Sequence, residues 1–155
     1  ERNMTDISRR SVLALGGDID RASRLQKSGL AMWRLHGIEP EALDYRKMEV
    51  VSGGYQLRPE IIESAYYLHH FTGDLRWRAM GREFFDDFVR NCRTDTAYAA
   101  IKDVRTMEKR DSMESFVLAE TFKYYWLLFS PPSVLDFDGV VFNTEAHPLR
   151  RTWKD

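Results

Sequence analysis

One cysteine, Cys92, stands in a chain of 155 residues, so no disulfide can form within it, and cysteine usage leaves the redox compartment open. Cys92 itself reads as a small buried hydrophobe rather than a reactive thiol. Long apolar runs are missing too. The stretch from residue 124 to 129 is among the longest and falls far short of the roughly 20 residues that a membrane-spanning helix needs. There is no excess of charge of one sign: 23 basic and 24 acidic residues are interleaved along the chain, which argues against nucleic acid or an anionic membrane as partner. The chain opens Glu1-Arg2-Asn3, without an initiator Met or an apolar signal core, and its start reads as an internal cut. What is present is 43% hydrophobic and 13% aromatic residues, enough apolar surface for one packed globular unit.

Periodicity predicts helices separated by long loops. Leu25, Leu30, Met32, Trp33 and Leu35 place a helix over residues 20–36, with Gly37 as a left-handed cap. Residues 38–57, with Pro40, Gly53 and Gly54, read as a long connection. A second helix is expected to start at Pro59, present one apolar face through Ile61, Ile62, Ala65, Tyr66 and Leu68, and end at Thr72-Gly73. Trp77, Met80, Phe84 and Phe88 extend a third helix from about residue 74 to about residue 92, giving a helical hairpin. Residues 96–104 form a strand or an extended loop. A helix over residues 112–129 is apolar on several sides and is expected to be buried almost all round, stopped by Pro131-Pro132. Val140-Val141-Phe142 reads as a last short strand.

Metal and nucleophile signatures are nearly absent. His69 and His70 are adjacent and point about 100 degrees apart on a helix, so they cannot share a zinc ion and read as helix-surface residues. That leaves carboxylates at element ends: Glu60, Glu114 and Glu145. Each has a structural reading. Glu60 favours the first-turn end of a helix dipole, Glu114 completes a capping box with Asp111, and Glu145 is a solvated loop acid. Spacing by itself favours those readings over catalysis.

The order of the segments shifts that balance. Leu57-Arg58-Pro59-Glu60-Ile61-Ile62-Glu63-Ser64, Tyr98-Ala99-Ala100-Ile101, Met113-Glu114-Ser115-Phe116 with Leu118-Ala119-Glu120-Thr121-Phe122-Lys123-Tyr124, and Phe142-Asn143-Thr144-Glu145-Ala146-His147-Pro148 together resemble the C-terminal third of glycoside hydrolase family 47, the class I α-1,2-mannosidases. The resemblance covers residues 13–149.

The resemblance implies an all-α fold, the C-terminal part of a barrel of seven helical hairpins, with a short terminal β-hairpin as its plug. Residues 1–155 would then be a C-terminal fragment of a single catalytic domain. By match of motif, Glu60 resembles the general base, Thr144 the ligand of a calcium ion, Glu114 and Glu145 the acids that hold calcium-bound water and the terminal mannose, and Arg58, with Pro59, a support beside the base. Arg58 fits a structural ion pair equally well. Family members invert, which takes an acid and a base on opposite faces of the sugar. The usual acid belongs to the N-terminal half, and no segment here matches that half. Arg9-Arg10-Ser11-Val12-Leu13 also departs from the His-Leu-x-Cys-Phe stretch of the family's processing mannosidases.

Leu15-Gly16-Gly17-Asp18-Ile19-Asp20 and Met32-Trp33-Arg34-Leu35-His36-Gly37 are closer to the endoplasmic-reticulum degradation-enhancing mannosidase-like branch. That branch implies the lumen of the endoplasmic reticulum and high-mannose N-glycans on glycoproteins as substrate. As partners it implies the remainder of the catalytic domain and an oxidoreductase of that compartment. Asn3-Met4-Thr5 would be a glycosylation sequon there. Two other classes stay open on the residues: a helical-repeat binding module, against which the lack of a clean period counts, and a lectin-like homologue that binds glycans without hydrolysis.

Overall fold

The computed structural model describes residues 9–153, so the Asn3-Met4-Thr5 sequon and Ser8 lie outside the described residues. Five α-helices are arranged in two rows: α1 (Arg9–Leu15), α2 (Ile19–His36), α3 (Glu60–Thr72), α4 (Leu75–Cys92) and α5 (Phe122–Phe129). Helix α3 packs against all four others, with α1 and α5 on its flanks, while α2 and α4 form the second row.

Local chemistry sets the ends where the sequence placed them, to within one or two residues. The Asp18 side chain accepts from the Arg21 amide at 3.2 Å to start α2, and the Asp74 side chain accepts from the Arg76 amide at 2.9 Å to start α4. Gly37 and Gly73 end α2 and α3 at φ of 77 and 66 degrees, a conformation that a Cβ disfavours. Pro59 sits just before α3 rather than within it.

Helix α3 is buried on more than one face. Ser64 and Tyr67 join Ile61, Ile62, Ala65, Tyr66 and Leu68 in the interior, because the four other helices surround it. On α4 one stripe is buried: Trp77, Met80, Phe84, Phe88 and Cys92. Cys92 is buried as expected, and burial pushes its thiol up to about 12.

Two expectations for the last helix are corrected. It starts later than residue 112, with a π-helical segment at Val117–Thr121 leading into α5. Asp111 and Glu114 therefore form no capping box, and Ser112 Oγ instead donates to Glu114 Oε1 at 3.1 Å in the loop ahead of it. Nor is the segment buried all round, since Leu118 is 67% and Trp126 57% exposed on its outer side. The fold also carries more β-structure than a single plug. β1 (Ala42–Asp44) pairs antiparallel with β2 (Glu49–Ser52) inside the expected long connection. β3 (Ile101–Asp103) pairs with β4 (Glu108–Lys109), and β5 (Val140–Phe142) with β6 (Pro148–Arg150). Tyr55 and Ile101 exchange two backbone hydrogen bonds of 2.9 Å, which ties the segment leading into α3 to the second hairpin.

Candidate active site

The chain entering α3 is held from several sides. Leu57 is fully buried and adopts φ of 62 degrees, rare for a branched side chain, and its carbonyl accepts from Thr121 Oγ1 at 2.7 Å. Arg58 meets Glu41 as a fork, with Nε 2.9 Å from Oε1 and Nη2 2.9 Å from Oε2. The structural ion pair is thus present, and hydrogen bonding to Glu41 raises the Arg58 pKa. Glu60 and Glu63 follow in the first turn of α3, where the helix dipole favours anions.

Glu60 Oε2 is buried and has no hydrogen-bond partner among the described residues. Carboxylates gather around it. Glu63 lies one turn along α3 and accepts from Tyr124 Oη at 3.2 Å; burial pushes its carboxyl up to about 7, against the Ser11 and Tyr124 hydroxyls. Glu120, in the π-helical segment, is raised by burial and then by repulsion from Glu60 and Glu145. Glu39 is buried, with both carboxylate oxygens free of hydrogen bonds among the described residues, and burial pushes it up to about 7 despite Arg10.

The β5–β6 hairpin brings the C-terminal motif to this group. Lys123 Nζ donates to the Ala146 carbonyl at 2.6 Å, and Phe142 packs edge-on against Tyr124 with ring centroids 6.0 Å apart. In the turn, Asn143 Oδ1 accepts the amides of Glu145 and His147 at 3.0 and 2.8 Å. Glu145 lies within electrostatic reach of Glu120, and its exposed side chain stands 3.6 Å from His147 Nδ1. Neither the hydroxyl nor the carbonyl of Thr144 takes part in a hydrogen bond among the described residues, so both are available to a hard cation that prefers oxygen. No group of three or more His, Cys, Asp or Glu side chains is placed to hold a metal ion among the described residues. A calcium ion here would depend on the two Thr144 oxygens and on water.

Of the residues singled out from sequence, the structure brings Arg58, Glu60, Glu145 and Thr144 to one region. Glu114 is exposed, pairs with Ser112 and takes no part in the carboxylate group. Glu63 and Glu120 were missed, although Glu63 lies three residues after Glu60 and so shares its helix face. His69 and His70 lie at the far end of α3, where His69 Nδ1 is 3.2 Å from the Asp74 carbonyl oxygen and His70 packs on Phe137.

Comparison with known proteins shows the family to which the chain belongs. The sequence profile of Glycosyl hydrolase family 47 matches residues 4–151. A mannosyl-oligosaccharide 1,2-alpha-mannosidase of Arabidopsis thaliana is 50% identical over 94 residues, 61% of this chain and 17% of the relative. ER degradation-enhancing alpha-mannosidase-like protein 2 of Homo sapiens is 36% identical over 157 residues, covering 88% of this chain and 27% of the relative. The solved alpha-1,2-mannosidase of Trichoderma reesei superposes with a TM-score of 0.81 at 30% identity, over 91% of this chain and 37% of that one. The chain thus spans about a quarter or less of these two curated relatives, and it belongs to glycosyl hydrolase family 47.

Proposed function

We propose that this chain supplies the base side of an inverting α-1,2-mannosidase that trims high-mannose N-glycans in the endoplasmic reticulum. The observation that carries the reading is Glu60: a carboxylate with one buried, unpartnered oxygen, in the first turn of the helix that every other helix packs against. An oxygen free of protein donors can accept a proton from water, which is the task of the base in inversion. Glu63 and Glu120 beside it, with Glu145 beyond Glu120, add further acceptors for sugar hydroxyls and for water. Arg58, locked by Glu41, holds the approach to the helix in place. A calcium ion held by Thr144 would order water and sugar oxygens at the floor of the site. The proton for the leaving oxygen would come from an acid on the opposite face of the sugar, by the family resemblance one outside this chain.

Relatives named for ER degradation enhancement align over 87–88% of the chain at 36–39% identity, whereas three relatives named as mannosyl-oligosaccharide mannosidases align over 60–70% at 44–50% identity. This supports a place in glycoprotein quality control. The test is mannose release from a high-mannose glycan by the full-length protein and its Glu60→Gln variant. Turnover should fall by roughly 100-fold or more with glycan affinity kept. Unchanged turnover would move the base elsewhere, and glycan binding without release by the unsubstituted protein would favour the lectin-like reading.

A further inference from the structure

Arg10 is 4% exposed, an unusual place for a guanidinium, and its surroundings are polar. Its Nη1 donates to Gln26 Oε1 at 3.1 Å, and Gln26 Nε2 donates to the Ile61 carbonyl at 2.9 Å. Ile61 directly follows Glu60. Arg10 Nη2 stands 3.9 Å from Glu39 Oε2, and Glu39 is 2% exposed with both oxygens free of hydrogen bonds among the described residues. A second chain of contacts runs beside the first: the Ser11 and Ser64 hydroxyls are 3.0 Å apart, and Ser64 Oγ donates to the Glu60 carbonyl at 2.7 Å. Two polar routes thus lead from α1 to consecutive carbonyls in the first turn of α3.

The seat of Arg10 is tight. A Cβ on Gly29 would fall 2.2 Å from Arg10 Nη1, so the guanidinium lies directly on the backbone of α2. Burial lowers the Arg10 pKa, while Glu39 and then Glu60 oppose that fall, which places the cation within electrostatic reach of both acids. A buried charge pair adds little net stability compared with apolar side chains of like volume. Its presence within electrostatic reach of Glu60 calls for another role.

We infer that Arg10, through Gln26 and with Glu39 as its buried acidic neighbour, is a positioning residue that fixes the first turn of α3 and thereby the carboxylate of Glu60. This rests on the reading of Glu60 as the base. The role is to orient, because Arg10 reaches the backbone of that turn only through Gln26.

The experiment uses the full-length protein with Arg10→Met, Arg10→Lys and Gln26→Leu, read by steady-state kinetics and by amide hydrogen exchange. Arg10→Met should lower kcat by about 10- to 100-fold with KM nearly unchanged, as misplacement of a reacting group does. Arg10→Lys, which keeps the charge, should recover part of that loss. Exchange in the first turn of α3 should rise about tenfold while α4 keeps its protection. Gln26→Leu, which leaves the pair of Arg10 and Glu39 in place, should give the same pattern and covers a failure of Arg10→Met to fold. Equal loosening of α3 and α4 would reduce Arg10 to a general stabiliser and overturn the proposal. So would an unchanged kcat, or a loss confined to KM. Should the unsubstituted protein release no mannose, the functional reading fails on that ground, and the exchange pattern still decides the positioning role.

Discussion

The Thr121 hydroxyl donates to the carbonyl of Leu57 at 2.7 Å, across 64 residues of sequence and inside the core. Leu57 needs the restraint. Its φ of 62 degrees costs on the order of 1–3 kcal/mol, and it immediately precedes Arg58-Pro59-Glu60. The π-helical segment Val117–Thr121 carries both Thr121 and Glu120, so an irregular turn on one helix anchors the strained approach to another. Thr121→Val would leave a buried carbonyl unpaired and should destabilise the full-length protein by about 1–3 kcal/mol. Thr121→Ser should recover most of it. Denaturant midpoints separate the two variants, and a Thr121→Val protein within about 0.5 kcal/mol of the parent would remove Leu57 from the account.

Glu39 and Glu63 give the fold a pH dependence whose sign is set by burial. Both carboxyls are pushed from an ordinary 4.5 to about 7, chiefly because the charged form is desolvated. Between those values the native state keeps protons that the unfolded chain has released. Stability from these groups is therefore complete below about 4.5, falls as pH rises and levels off above about 7. Each group would account for on the order of 3 kcal/mol across that window. Melting temperatures of Glu39→Gln and Glu63→Gln variants should fall less steeply over the same range than that of the parent. Parallel curves for parent and variants would mean that neither carboxyl enters the fold protonated.

Much of this was legible in the sequence, and the failures have physical causes. Helix ends at Asp18, Gly37, Gly73 and Asp74 follow from caps that local chemistry specifies. The start of the last helix does not, because the Asp111 and Glu114 pattern suited a capping box while the loop over residues 111–115 is held by pairing with the second hairpin, where the Ala100 amide donates to the Ser112 carbonyl at 2.9 Å. Glu120 sits in the irregular turn that replaces the expected helix start, within electrostatic reach of Glu60 and Glu145. Glu39 and Arg10 could not be found by spacing at all: they are 29 residues apart and meet through the packing of α1 on α2 and α3.

Calcium tests Thr144. If its two free oxygens bind the ion, added calcium should raise the melting temperature of the full-length protein by mass action, about 2.7 kcal/mol at a hundredfold excess over the dissociation constant. Thr144→Val removes the hydroxyl and keeps the carbonyl, and should weaken that response while leaving the metal-free melting temperature nearly unchanged. A chelator that altered neither melting nor turnover would dispose of the calcium site.

The outward faces of the helices bear on how this chain behaves when expressed by itself. Leu118 and Trp126 are exposed on the outer side of the last helical segment, and Val12 and Leu15 are 66% and 51% exposed on α1 at the other flank of α3. Apolar side chains on both flanks of one helical row are what adjacent helices of a barrel would cover, and the matched mannosidase structure has nearly two thirds of its length outside the region matched here, which covers 37% of it. The 155-residue chain should therefore self-associate and bind a hydrophobic dye, whereas co-expression with a remainder that corresponds to the part of the mannosidase structure outside the match should give a monodisperse species. Leu118→Lys with Trp126→Lys should reduce self-association of the chain by itself and weaken its capture by the remainder, because the same surface serves both. Light scattering with a pull-down measures this, and a monomeric parent chain that binds no dye would show that these faces need no cover.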